Sequence, residues 1–118
     1  MRMRRLLAVV AALSLLCTVG GSAASSKNCL ALRGEQDTEV ESPSGIQVRV
    51  FGTNRCSEDL SGYDCRFKVS VLSSGRGVIG TQTGHFYGTI AAGETAETIL
   101  FVTCDPTRVG SIEVNDRD

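Results

Sequence analysis

The sequence predicts an all-β fold, a small antiparallel β-sandwich or barrel. Three observations carry that expectation. Beyond the first 24 residues, six or seven short runs rich in β-branched and aromatic residues alternate with clusters of Gly, Pro, Asn, Asp and Ser. Several of these runs alternate apolar and polar residues with a period of two, the pattern of a strand with one buried face. No segment after the amino-terminal stretch carries a convincing helical period.

Met1 to Ala24 stands apart as an expected signal peptide. Arg2, Arg4 and Arg5 form a positive start, and Leu6 to Val19 is an apolar core. Gly20, Gly21, Ser22, Ala23 and Ala24 follow, and Ser22-Ala23-Ala24 fits cleavage after Ala24. The apolar run falls short of the roughly 20 residues that a membrane-spanning helix needs. Cys17 follows Leu15 and Leu16, where a lipoprotein signal wants a small residue, so lipidation is not expected. The protein is thus expected to be secreted or periplasmic, with no membrane association once the signal is removed.

Residues 25–118 then form one domain. Without the three leader arginines, nine Lys and Arg stand against 13 Asp and Glu, a net charge of −4 (9 − 13). That balance argues against nucleic acid or an anionic membrane as partner, since both need a basic footprint. A domain this small buries a modest share of its surface and benefits from covalent staples.

Taken in order, Cys29 to Leu32 reads as a short first strand. Glu35, Asp37, Glu39 and Glu41 then alternate with Gln36, Thr38 and Val40, a solvated loop or edge strand without the spacing of a calcium loop. Ile46, Val48 and Val50 alternate with Gln47 and Arg49 in a half-buried strand that Gly52-Thr53-Asn54 should break. Cys65, Phe67, Val69 and Val71 share one face of the clearest alternating strand. Ser73 to Gly77 is a turn, and a short strand from Val78 ends by Thr83, with Gly84 as breaker. His85 to Ile90 is a further strand. Thr95 to Thr103 is the longest run, with Ala96, Thr98, Leu100 and Val102 on one face and Ile99 and Phe101 on the other. An apolar side chain on both faces predicts a central strand covered on both sides. Pro106 stops it, and Ser111 to Val114 closes the domain.

Cys29, Cys56, Cys65 and Cys104 remain in the exported chain, and an even number in that compartment predicts two disulfides. Three connectivities are open. Cys56–Cys65 with Cys29–Cys104 is favoured, because the first pair would close a short loop between two strand-like runs. The spacings lack a C-x-x-C pair, so neither zinc nor any other metal is expected.

Ile90-Ala91-Ala92-Gly93-Glu94-Thr95 running into an apolar strand resembles the turn before a late strand in bacterial immunoglobulin-like modules of the CARDB type. The resemblance covers some 15 residues. It implies an immunoglobulin-like β-sandwich and no activity. It would also make a Cys65–Cys104 bridge an analogue of the inter-sheet pin of antibody-type domains.

The inventory for catalysis is thin, and the protein is not expected to be an enzyme or to carry a cofactor. His85 is the only histidine, and no serine sits in a Gly-x-Ser-x-Gly turn. The glycine-rich Ser74 to Gly80 stretch lacks the spacing of a phosphate cradle. With no Trp, Tyr63 and Tyr87 are the rings expected at the surface. The best binding candidate is the Cys56–Cys65 loop with Glu58, Asp59, Leu60, Tyr63 and Asp64. A covalently closed loop loses little entropy on binding, and its carboxylates suit a basic target. The expected function is a secreted, non-enzymatic binding or structural module whose partner is an extracellular protein. The alternative is an inhibitor of an extracellular or periplasmic hydrolase acting through that loop.

Overall fold

A computed structural model of the protein describes residues 29–117. The expected signal peptide at 1–24, Cys17 included, lies outside the described residues. Eight strands follow one another: β1 (Leu30–Gln36), β2 (Gly45–Asn54), β3 (Leu60–Ser61), β4 (Arg66–Ser73), β5 (Val78–His85), β6 (Thr89–Ile90), β7 (Thr95–Thr103) and β8 (Val109–Asp116). Short 3-10 turns occupy Gly62–Asp64 and Pro106–Arg108. All pairings are antiparallel. They build one sheet in the order β1-β2-β7, a second in the order β5-β4-β8, and a two-residue ladder β3-β6.

The two larger sheets enclose one core, with β1 lying against β8 and β5 against β7. Period-two alternation places Ile46, Val48 and Val50 of β2 opposite Phe67, Val69 and Val71 of β4, all at most 3% exposed. Phe86 and Phe67 meet with ring centroids 5.1 Å apart. Each such side chain contributes about 1.5–3 kcal/mol by leaving water, so the centre of stability is the β2–β4 pair.

Several sequence expectations change here. Thr95–Thr103 is the strand expected, but β7 is an outer strand, and β2 holds the centre of its sheet. Ile99 and Phe101 remain 46% and 42% exposed. The face on which they stand has no covering layer among the described residues.

Gly52 and Gly84 do not break their strands. A Cβ at Gly52 would come within 2.8 Å of the Phe86 ring, and one at Gly84 within 3.0 Å of Leu100 Cδ2. Both are places where the opposite layer comes close, so the missing side chain serves packing. The strand expected over His85–Ile90 shrinks to Thr89–Ile90, because His85 completes β5. Both ends of β8 extend beyond Ser111–Val114.

The cysteine pairing also differs. Cys29 precedes β1 and Cys56 follows β2, and the Leu30↔Asn54 register brings their Cα atoms to 5.2 Å. They form the disulfide, so neither Cys56–Cys65 nor Cys29–Cys104 exists. A Cys65–Cys104 pin is excluded by position. A Cβ at Gly80, which pairs with Val71, would lie 3.1 Å from Cys104 Cβ. Val71 stands six residues along β4 from Cys65, roughly 20 Å at the rise of a strand. Among the described residues one disulfide is present where two were expected, and Cys65 and Cys104 are both buried.

Two of the four carboxylates of the acidic run, Glu35 and Asp37, face arginines of the same protein. Arg33 pairs with Glu35 at 2.9 Å, and Arg49 lies between Asp37 at 3.6 Å and Glu97 at 3.5 Å. The β1–β2 hairpin thus supplies the cations that a bare sequence reading left open.

Candidate functional site

The end of the molecule that carries the disulfide gathers the β2–β4 and β5–β7 connections. Asn54 organises it. Its side chain has no exposed surface, yet makes three hydrogen bonds. Nδ2 donates to the carbonyls of Ile90 (2.8 Å) and Glu58 (2.9 Å), and Oδ1 accepts from the Cys56 N–H (2.8 Å). Its backbone N–H donates to Glu94 O, and its carbonyl accepts from Gly93 N–H. One amide therefore fixes both loops to the end of β2 and satisfies the backbone groups they bury.

The loop from Cys56 to Cys65 is held by those bonds, not by a covalent ring. Leu60, expected at the surface, is 8% exposed and pairs with Ile90 in the β3–β6 ladder. It anchors the loop to the core and leaves the contact surface to its neighbours. Glu58, Asp59 and Asp64 are exposed. Asp59 Oδ1 accepts from the Ala92 N–H at 3.2 Å, which ties the acidic loop to the next connection.

Tyr63 is 58% exposed, as expected, but it does not stand alone. Its ring lies 5.8 Å from Tyr87 at 88° and 5.7 Å from His85, and His85 lies 4.7 Å from Tyr87. Tyr87 is 63% exposed and His85 half-buried. Gly62 explains the meeting. Its N–H donates to Gly88 O at 2.6 Å, and a Cβ there would come within 2.9 Å of Phe86 C, Tyr87 N and Gly88 O. The turn bearing Tyr63 is pressed against the backbone that carries Tyr87.

His85 Nδ1 donates to the Phe86 carbonyl at 2.7 Å, because a carbonyl only accepts. That bond ties the ring to the backbone at the end of its own strand. The result is an exposed aromatic corner of Tyr63, His85 and Tyr87, with Asp64 next to Tyr63 in the chain, while Asp59 is held at Ala92, beyond the other end of the β3–β6 ladder.

Sequence reading named Tyr63 and the carboxylates as candidates and did not group Tyr63 with His85 and Tyr87. A signal for it was present in the hairpin count. Pairing outward from the Ser73–Gly77 turn sets Arg66 opposite His85, and continuing three residues sets Tyr63 beside residues 87 and 88.

Among the described residues no group of three or more His, Cys, Asp or Glu side chains is arranged to hold a metal ion. At the opposite end a cleft of about 290 Å³ opens between the β1–β2 loop and Pro106, lined by Gln36, Thr38, Val40 and Glu41 among others. Comparison of the chain with family models, curated proteins and solved structures finds no match.

Proposed function

We propose that the protein is an exported, non-enzymatic binding module of immunoglobulin-like architecture, and that its contact surface is the Tyr63–His85–Tyr87 corner together with the exposed carboxylates of the Cys56–Cys65 loop. The architectural part is supported by the connectivity. Hairpins join β1 to β2 and β4 to β5, while the chain crosses between sheets from β2 to β4, β5 to β7 and β7 to β8, the kind of wiring found in such sandwiches.

The observation that carries the functional part is the pair of tyrosines, each more than half exposed and held in contact by the Gly62–Gly88 backbone bond. Rigid tyrosines offer large contact area at small entropic cost and are common anchors at interfaces. Their perpendicular rings form a corner, where a sugar face is better met by flat, parallel platforms. A protein surface is the better fit. Glu58, Asp59 and Asp64 favour a basic one, because complementary charge speeds encounter. The inhibitor reading rested on a covalent ring that Cys29–Cys56 replaces, and no observation favours it over general protein binding.

The test compares capture by wild type and by a Tyr63→Ala/Tyr87→Ala variant from the extracellular fraction of the source organism. A partner retained by wild type and lost by the variant, at equal melting temperature, supports the reading. Equal capture by both overturns it.

A further inference from the structure

The outer face of the β5-β4-β8 sheet carries a row of cations at one end, and we propose that this row is a docking surface for an acidic segment of a protein partner. The register defines the row. Arg66 lies opposite His85 of β5, and its carbonyl accepts from the Arg117 N–H just beyond β8. Phe67 and Val69 are buried, so the side chains of Arg66 and Lys68 point outward, where both residues are exposed. Strands about 4.8 Å apart set His85, Arg66 and Arg117 in one line about 10 Å long. Because the backbone groups of Arg66 are directed at β8, it faces His85 as a non-hydrogen-bonded pair, the kind in which side chains stand closest. The next outward row, about 7 Å along the strands, is Thr83, Lys68 and Asn115.

Elsewhere the protein answers its cations internally. Arg33, Arg49 and Arg76 each face a carboxylate, whereas Arg66 and Lys68 make no ion pair among the described residues. Asp116 precedes Arg117 but shares the register of Phe67, which puts it on the opposite face. Like charges directly opposite each other destabilise a sheet. Arg66 and Arg117 are such a pair, in a domain whose acidic residues outnumber its basic ones. A carboxylate at position 83 or 115 would relieve the repulsion, yet Thr83 and Asn115 offer uncharged hydrogen-bonding groups there. The row also ends at His85, whose ring lies 4.7 Å from that of Tyr87, so it adjoins the aromatic corner.

Charge complementarity and the size of the footprint select the occupant. A guanidinium takes a carboxylate through two parallel N–H···O bonds. Arg66 and Lys68 stand about 7 Å apart, the spacing of alternate side chains on an extended peptide, so two carboxylates at such positions meet both. Nucleic acids and sulfated glycans carry charge without interruption. Beyond the Lys68 row such a chain would meet Glu113, which lies opposite Ser70 and is already paired with Arg76 at 3.6 Å. The domain's net charge of −4 (9 − 13) opposes it further. A short acidic stretch of polypeptide fits within the cationic rows and avoids both. The surface needs neither tyrosine, so it stands or falls apart from the proposed function.

Titration of the isotopically labelled protein with acetylated hexaglutamate, read as amide NMR shifts, tests it. The salt is held at about 0.1 M, where charges more than about 10 Å away are screened. Saturating shifts should gather at residues 66–68, 83–85 and 115–117. Arg66→Gln/Lys68→Gln should weaken binding at least about tenfold. Arg55→Gln/Arg108→Gln removes the same charge from other exposed positions and should change it less than about twofold. The first variant should melt no lower than wild type, because it relieves a like-charge pair, and this separates lost docking from lost folding. Absence of saturation, shifts scattered over the surface, or equal weakening by the two variants would each overturn the proposal. So would a heparin hexasaccharide that displaces hexaglutamate from these residues at equal concentration.

Discussion

Asn54 and Gly62 show how single residues decide whether the aromatic corner exists. Asn54→Leu would keep bulk but leave two carbonyls and one N–H without their partner. Burying an unsatisfied group costs about 1–3 kcal/mol, so a loss of about 3 kcal/mol in urea denaturation is expected. A shift below about 1 kcal/mol would mean that the loops hold their place without it. Gly62→Ala acts differently, by forcing the 86–88 backbone away from Tyr63. It should cost about 1–3 kcal/mol as overpacking, and should reduce partner capture further than its melting temperature alone explains. Asp105 offers a pH test at this scale. Its carboxylate accepts from Thr107 Oγ1 at 2.7 Å and Thr107 N at 3.0 Å, which holds its pKa below the ordinary 3.8. A lowered folded-state pKa adds stability above the unfolded value, and that contribution disappears as pH falls through the folded one. Asp105→Asn should therefore flatten the acid limb of the stability curve below about pH 4 and leave its shape above pH 5 unchanged, read as urea midpoint against pH. At this scale the sequence displayed the residue types of the site but not their grouping, because Tyr63 and Tyr87 meet through the Gly62–Gly88 backbone contact, which no side-chain pattern records.

Strand by strand, periodicity told which residues share a face and was silent on how many neighbours a strand has. Ile46, Val48 and Val50 alternate cleanly and lie in the middle strand. Thr95–Thr103 was legible to the residue as a strand, yet its doubly apolar second half suggested a covering layer on both sides. Ile99 and Phe101 stand instead at a rim. Glycine misled in the same way, since Gly52 and Gly84 mark close approach of the opposite sheet while resembling turn signals. The ranking of core mutations follows from neighbours and burial. Val50 has no exposed surface, whereas Leu100 and Ile112 are half-buried in outer strands. Val50→Ala is expected to cost about 2 kcal/mol or more, at least matching Leu100→Ala although fewer atoms are removed. A Leu100→Ala loss clearly larger than that of Val50→Ala, in matched urea titrations, would move the centre of stability away from β2.

Across the whole molecule, the disulfide sets what the unfolded chain can do. Cys29 and Cys56 close a loop with a sequence separation of 27 that contains all of β1 and β2, so the cross-link holds together one hairpin and leaves the contacts between sheets to the core. Restricting a loop of that length stabilises by about 3.5 kcal/mol in the chain-entropy model, a large part of the ~5–15 kcal/mol typical of a domain. Peptide mapping of the unreduced protein should recover a Cys29–Cys56 linkage and no Cys56–Cys65 or Cys65–Cys104 linkage. A Cys29→Ala/Cys56→Ala variant should keep the fold at low temperature, because Leu30, Val48, Val50 and Phe67 still pack, but its urea midpoint should fall. The denaturant slope distinguishes the mechanism. If the cross-link acts on the unfolded chain, its removal lets that chain expand and expose more surface, so the m-value should rise while stability drops. A fall in stability at constant m-value would instead place the effect in the native hairpin, with the Leu30↔Asn54 end of the β1–β2 ladder fraying once Cys29 is released.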